Sequence, residues 1–255
     1  MGWQKAPAYL AVWWAGQTFG RTTYVSAGPR AFFAGILLLQ VVVSTVLVGL
    51  LSALDGLYFR GLLPACVARF RMVAHRPPPP HTLARMAAVV LRNQVLSGLL
   101  VLWTLPSRPP DFWPAHDSSP ASTLALSAGY ALLFEVFFYA GHRLLHWRPV
   151  YGALGHALHH QTHTDSAVSF GYMGAVDYML ETNVPALVPL YIVGVHVPAY
   201  TGFLAVGLFN AILVHSGWNF PWLADPTRHS VHHSRPSLNL GNGPLDYLLG
   251  TAGPD

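Results

Sequence analysis

The chain is poor in charge. Of 255 residues only 9% are Asp, Glu, Lys or Arg, against about 25% in an ordinary soluble domain. The cations are thirteen Arg and a single lysine, Lys5. With a net charge of +4 and no basic stripe, the sequence offers no nucleic-acid surface. Cysteine is almost missing: one residue, Cys66, cannot form an intrachain disulfide, a thiolate metal cage or a cysteine-ligated iron–sulfur cluster. No G-x-G-x-x-G run follows a strand, so the chain has no evident nucleotide or flavin site of its own.

What replaces charge is apolar length. Hydrophobic residues reach 53%, and Ala31–Leu54 runs for 24 residues without a charge, where about 20 suffice to cross a bilayer. Met86–Leu105 and Ser122–Gly141 are further 20-residue windows with one charge each, Arg92 and Glu135. Arg92 reads equally as a bundle-facing or a snorkelling residue. Thr182–Ala224 has 43 residues without Asp, Glu, Lys or Arg, broken by Pro185, Pro189 and Pro198. It reads as two short helices joined near His196–Tyr200, a hairpin that leaves and returns on one side. The loop after the first span carries Arg60, Arg69, Arg71, Arg76 and Arg85, whereas the next has Arg108 against Asp111 and Asp117. The positive-inside tendency makes the first loop cytosolic, although this puts Lys5, Arg21 and Arg30 outside. Pro77–Pro80 reads as a stiff polyproline loop. The apolar stretch Ala6–Gly16 has no convincing cleavage site and is not read as a secretory signal.

Histidine is the second surplus, with 14 residues. Three groups follow apolar segments: His142 and His146; His156, His159 and His160; His229, His232 and His233. At this histidine frequency a given H-x-x-H-H is expected roughly 0.04 times per chain, and here there are two. Helical positions i, i+3 and i+4 share a face, so each triplet projects three imidazoles to one side. Neutral imidazole is the commonest metal ligand and suits iron, zinc, copper and nickel. Eight exceed what one ion can use, so two metals are expected. His215 and Asn219, at i and i+4, are candidate ninth and tenth ligands. Glu135, Asp177 and Glu181 are candidates to accept the imidazoles' other N–H. His75, His81, His116, His163 and His196 stand alone and read as surface or hydrogen-bonded residues.

This pattern of H-x-x-x-H, H-x-x-H-H and H-x-x-H-H resembles the fatty acid hydroxylase and sterol desaturase superfamily. His215-Ser-Gly-Trp-Asn-Phe-Pro-Trp222 resembles the matching stretch of cholesterol 25-hydroxylase-like members, and Asn239-Leu-Gly241 with Asp246–Thr251 resembles the family's closing signature. The segment Tyr172–Asp177 resembles that in which the family carries an acid, which favours Asp177 over Glu181. Leu245 departs from the pattern, standing where the family has Trp. The resemblance covers Glu135–Thr251. It implies an all-α integral membrane protein whose transmembrane helices carry a cytosolic, histidine-rich cap with a di-metal site, residues 1–121 forming the membrane region and 122–255 the catalytic region. It also implies two Fe2+ ions, O2 as co-substrate, and a lipid substrate. Electrons would come from an external donor, whether cytochrome b5-like protein, ferredoxin or reductase.

Breaking an unactivated C–H bond is beyond side chains, and redox-inert zinc cannot do it. Iron therefore fits, with Phe137, Phe138 and Tyr139 as candidate walls for the lipid. Hydroxylation of a sterol or related lipid is the first expectation and desaturation the second. A zinc hydrolase lacks the Glu of H-E-x-x-H, and a metal transporter would hold its ligands near mid-membrane. Such an enzyme sits in the endoplasmic reticulum of a eukaryote or the inner membrane of a bacterium. The sequence assigns no oligomeric state.

Overall fold

Apolar length decides the architecture. Four helical segments are long and apolar enough to cross a membrane: Ala31–Phe59, Pro80–Trp103, Pro120–Leu145 and Val197–Val214. The computed structural model describes residues 5–72, 78–104, 112–113, 119–162, 164 and 166–254. His75, Arg76, Pro77, Leu105, Arg108, Asp111, His116, Asp117 and His163 of the sequence reading lie outside the described residues. The chain runs through α1 (Ala6–Phe59), α2 (Ala65–Ala68), α3 (Pro80–Thr104), β1 (Phe112–Trp113), α4 (Pro120–Leu145), α5 (Arg148–Tyr151) and α6 (His156–His159). A 3-10 turn (Ala167–Gly171), α7 (Ala175–Tyr178), a π-helical turn (Met179–Asn183) and α8 (Val184–Val193) follow. The chain closes with β2 (Val195–His196), α9 (Val197–Val214), α10 (Thr227–Ser234) and α11 (Pro244–Leu249). It is a mostly helical integral membrane protein. On α1, Leu38, Val42, Val46 and Leu50 recur every fourth residue and are 49–66% exposed, a stripe suited to lipid and not to water.

α1 is longer than the expected span, and it is not a straight rod. Tyr9 donates its hydroxyl to Asn210 at 3.0 Å, near the C-terminal end of α9. Gly16 and Gly20 press against Thr201 near the other end. Asp55 accepts the indole N–H of Trp218, just past α9, at 2.7 Å. A straight helix would hold Tyr9 and Asp55 about 69 Å apart. α1 therefore doubles back between Gly20 and Phe32, which packs with Val197 and Tyr200. The first arm adds a pass along α9, and Lys5 comes to lie at the same end as Trp218. Burial alone would raise the Asp225 carboxyl; hydrogen bonds from Thr227, the Lys5 charge and Asn219 together hold it below its ordinary range. Lys5 and the loop after the first span therefore stand at one end of the bundle, not at opposite ends as the simple counting of spans expects.

α4 begins where Ser119 accepts the N–H of Ser122 and Pro120 opens the first turn. The hairpin of α8 and α9 packs against it. Ser127 donates to the Ala199 carbonyl at 2.8 Å, and Tyr130 donates to the Gly194 carbonyl at 2.8 Å. The hairpin is deeper than expected, because its descending arm starts at Ala175 and continues through the π turn. Its charges, Asp177 and Glu181, are buried in protein, so they mark no boundary. Pro185 explains the π turn: it lacks an N–H and its ring would clash with the carbonyl four residues back. At the tip, β2 pairs in parallel with β1 through Phe112↔Val195 and Trp113↔His196. His196 accepts the Ala199 N–H as the cap of α9, consistent with a hydrogen-bonded histidine. Arg92 is exposed and donates to Asn93.

Candidate metal centre

The three histidine groups meet at the end of the bundle opposite β1 and β2. His142 lies in the last turn of α4 and His146 caps it. α6 carries His156 and His159, with His160 as its cap. α10 carries His229, His232 and His233, and His215 caps α9. Their donor atoms fall into two sets, each within 4.8 Å: His142, His146, His156, His160 and His232, and His159, His215, His229 and His233. The triplets are split, not aimed together. Positions i and i+4 of the first triplet join one set and i+3 the other, and the second triplet does the reverse. On a helix the i+3 and i+4 side chains diverge by about 100°, which is why one triplet can serve two centres.

Within each set the Nε2 atoms approach one another. His146 Nε2 lies 3.3 Å from that of His142, 3.1 Å from that of His232 and 3.0 Å from that of His156. In the other set His215 Nε2 lies 2.7 Å from that of His229 and 3.4 Å from that of His159, while His229 and His233 are 3.1 Å apart. Five of the Nδ1 atoms are engaged elsewhere. His142 donates to the Leu240 carbonyl at 2.7 Å, His232 to Leu238 at 2.8 Å, His233 to Thr162 at 2.8 Å and His215 to Ala211 at 2.6 Å. His156 Nδ1 faces both carboxylate oxygens of Asp177 at 3.1 Å. In these five rings, with the proton on Nδ1, Nε2 presents a lone pair to its neighbours. His159 Nδ1 and both ring nitrogens of His160 are buried without a hydrogen-bond partner.

Burial, reinforced by neighbouring imidazoles, keeps seven of these rings neutral. His146 is pushed down to about 2 and His160 to about 3, by burial first and then by His156 and His232. Burial holds His215 and His232 at about 4, and His159, His229 and His233 lie well below their ordinary value for the same cause. Converging lone pairs without a proton between them repel unless a cation stands among them. Imidazoles about 2.0–2.1 Å from a shared ion stand roughly 2.9 Å apart at a right angle and roughly 3.3 Å apart at the tetrahedral angle. The observed separations match, so the residues fit two nitrogen-ligated metals.

Two glycines let the supports close in. A Cβ on Gly155 would meet the Gly174 Cα at 2.6 Å, so only glycine lets α6 approach the segment carrying Asp177. A Cβ on Gly241 would meet Glu135 Oε1 at 2.6 Å. Among the described residues Glu135 makes no hydrogen bond or ion pair with an imidazole. Its carboxylate accepts the Asn242 N–H at 2.9 Å and the Asn242 side-chain amide at 3.0 Å, anchoring the loop that supplies the Leu238 and Leu240 carbonyls. That corrects its expected pairing with an imidazole, because it lies almost two turns below His142. Glu181, by contrast, is buried with Oε2 3.5 Å from His156 Nδ1.

Asn219 is also corrected. The helix ends at Val214 and Gly217 turns the chain with φ +71°, so His215 and Asn219 do not share a helical face; the Asn219 amide donates to Asp225 at 3.3 Å. Phe138 is half-buried, its ring 5.1 Å from His142 and stacked on Phe134 at 5.4 Å. Tyr139 faces the other way, with its hydroxyl 3.1 Å from Thr251 Oγ1, and so braces the closing segment instead of lining a lipid path.

A buried ion pair escaped the sequence reading. Arg71 pairs with Asp55 at 3.2 Å and donates to the Ser216 carbonyl, while Met72 N–H bonds the Gly217 carbonyl at 3.0 Å. The pair pins the turn just after His215. Asp55 directly follows the uncharged run, and Arg71 read as one loop charge among several.

Fold and site together define a helical integral membrane protein with a polyhistidine centre at one end of its bundle. Residues 127–251 match the family model for fatty acid hydroxylase. The human fatty acid hydroxylase domain-containing protein 2 is 28% identical over 209 residues, covering 76% of this chain and 62% of the relative. Methylsterol monooxygenase erg25B of Aspergillus fumigatus is 29% identical over 136 residues, 48% of this chain and 46% of its own. Human cholesterol 25-hydroxylase is 26% identical over 132 residues, 47% of this chain and 48% of its own. The chain thus spans about three fifths of the length of the first of these relatives. No solved structure matches the chain.

Proposed function

We propose that this protein is an O2-dependent lipid oxidoreductase that holds two Fe2+ ions in its two imidazole sets and hydroxylates a sterol or related lipid. The single observation behind this reading is the division of nine imidazoles into a five and a four, the ligand atoms of each set lying within 4.8 Å of one another and several Nε2 pairs approaching to 2.7–3.4 Å. The names of the relatives, a methylsterol monooxygenase and a cholesterol 25-hydroxylase, support a sterol-like substrate. Iron so bound supplies reductive activation of O2, which no side chain provides.

The chain's own residues bind, orient and exclude water. His142, His146, His156, His160 and His232 would hold one ion; His159, His215, His229 and His233 the other. Carbonyls of Leu240, Leu238, Thr162 and Ala211 keep protons on Nδ1, and Asp177 does so for His156. Phe134 and Phe138 rise along α4 toward His142, and Phe203 closes on Phe134 at 5.6 Å. This apolar column suits a lipid entering from the bilayer and keeps water from the reacting carbon. The catalytic unit is 122–255. Arg60, Arg69 and Arg85 stand at the histidine end, which supports a cytosolic site reached by an external electron donor.

Incubating the purified protein with a reductant, its donor, candidate sterols and 18O2 tests the reading. A new hydroxyl carrying 18O is expected. An unlabelled double bond would contradict hydroxylation.

A further inference from the structure

The acceptors that orient His142 and His232 lie two residues apart on one short loop. His142 comes from α4 and His232 from α10, yet their Nδ1 atoms donate to Leu240 and Leu238 respectively, at 2.7 and 2.8 Å. Both imidazoles belong to the set of five. Between the two carbonyls stands Asn239, with φ +53°. That left-handed conformation is rare outside glycine, and Asn tolerates it better than most residues. The torsions of Asn239 set the angle between the peptide planes on either side of it, and its amide leaves them little freedom. Nδ2 donates to the Arg228 carbonyl at 2.9 Å, fastening the loop to α10. Oδ1 accepts the Gly253 N–H at 2.7 Å, and the Asn239 N–H donates to the Thr251 carbonyl at 2.7 Å. The residue is buried, with 4% exposure.

The geometry points to Asn239 as the positioning residue of the five-imidazole set. Its locked left-handed backbone turns the peptide that carries the Leu238 carbonyl toward His232 and places Leu240, whose own torsions then bring its carbonyl to His142; both protons stay on Nδ1 and both Nε2 atoms face the centre. The inference rests on the two-metal reading above. It is selective, because the Nδ1 acceptors of the other set, Ala211 for His215 and Thr162 for His233, lie elsewhere in the chain. A residue that merely supported the fold would affect both sets alike. One that positions this pair of carbonyls affects only the five.

The test is a Co2+ titration of the full-length, metal-stripped protein in detergent, following the ion count and the affinity of each site. The parent should bind two ions. In Asn239→Ala one site should weaken about 10- to 100-fold, the usual cost of losing a ligand's orienting partner, while the other keeps its parent affinity. Adding His229→Ala should then abolish the remaining tight site. If Asn239→Ala does not fold, Asn239→Gly replaces it: glycine adopts the same φ freely but lacks the amide, and it should weaken the same single site. Equal weakening of both sites, or two parent-like sites, overturns the inference and leaves the two-metal reading standing. A parent that binds fewer than two ions overturns that reading and the inference with it.

Discussion

His156 Nδ1 stands 3.1 Å from each carboxylate oxygen of Asp177, both groups fully enclosed by protein. The contact joins α6 to α7 across the close approach of Gly155 and Gly174. A carboxylate in this position fixes the tautomer and makes the opposite nitrogen a better donor. Asp177→Asn keeps the shape and removes the charge. It should lower metal affinity about 10- to 100-fold with little change in helix content; equilibrium dialysis against Fe2+ measures the first and circular dichroism the second.

Acid should destabilise the metal-free protein. His146, His160, His215 and His232 are held at about 2, 3, 4 and 4 when folded, whereas free imidazole titrates near 6.5. As pH falls through about 6.5, the unfolded chain takes up protons that the folded one refuses, so stability drops with decreasing pH. The loss continues to about pH 4 and, through His146, lower still. Melting curves of the stripped protein between pH 7.5 and 5 should shift steadily downward, and a flat profile would count against neutral buried imidazoles.

Much of the site was legible before the fold was known, because helical spacing collects imidazoles in sequence. His142 with His146, and the two triplets, are local patterns, and His215 stood beside a run resembling known relatives. Their partition into five and four was not legible, since it depends on how α6 and α10 face each other. Neither were the carbonyls of Ala211, Thr162, Leu238 and Leu240, because backbone acceptors carry no signature in residue type. Charge misled twice. Arg71 read as one of several loop cations and is buried against Asp55, and Asp177 with Glu181 seemed to precede a hairpin that they are part of. The doubling back of α1 was not read either, although Arg21, Gly28, Pro29 and Arg30 interrupt the apolar sequence between its two arms.

The Asp55–Arg71 pair should matter to folding more than to chemistry. Arg71→Met leaves Asp55 buried beside only part of its present company, and breaking such a pair costs about 3–5 kcal/mol. The double variant Asp55→Leu with Arg71→Met should lose less than either single one. Denaturant titration of the three proteins in detergent checks the order; additive losses would mean that the two residues act independently.

Phe138→Ala should separate binding of metal from handling of lipid. Its ring packs 5.1 Å from His142 without hydrogen-bonding it, so the ion count should stay at two. Product formation should fall about 10- to 100-fold, the scale on which misplaced reactants lose rate. Metal analysis and product assay on one preparation distinguish this from general loss of structure.

The most direct measurement is the metal count of the intact protein and of one variant from each imidazole set. Purified under anaerobic conditions with iron present, the parent should carry two iron ions per chain. His146→Ala should lose the ion of the five-membered set and His229→Ala that of the four, each keeping one. A parent holding a single zinc ion, or variants that both retain two metals, would contradict two centres built from interleaved histidines.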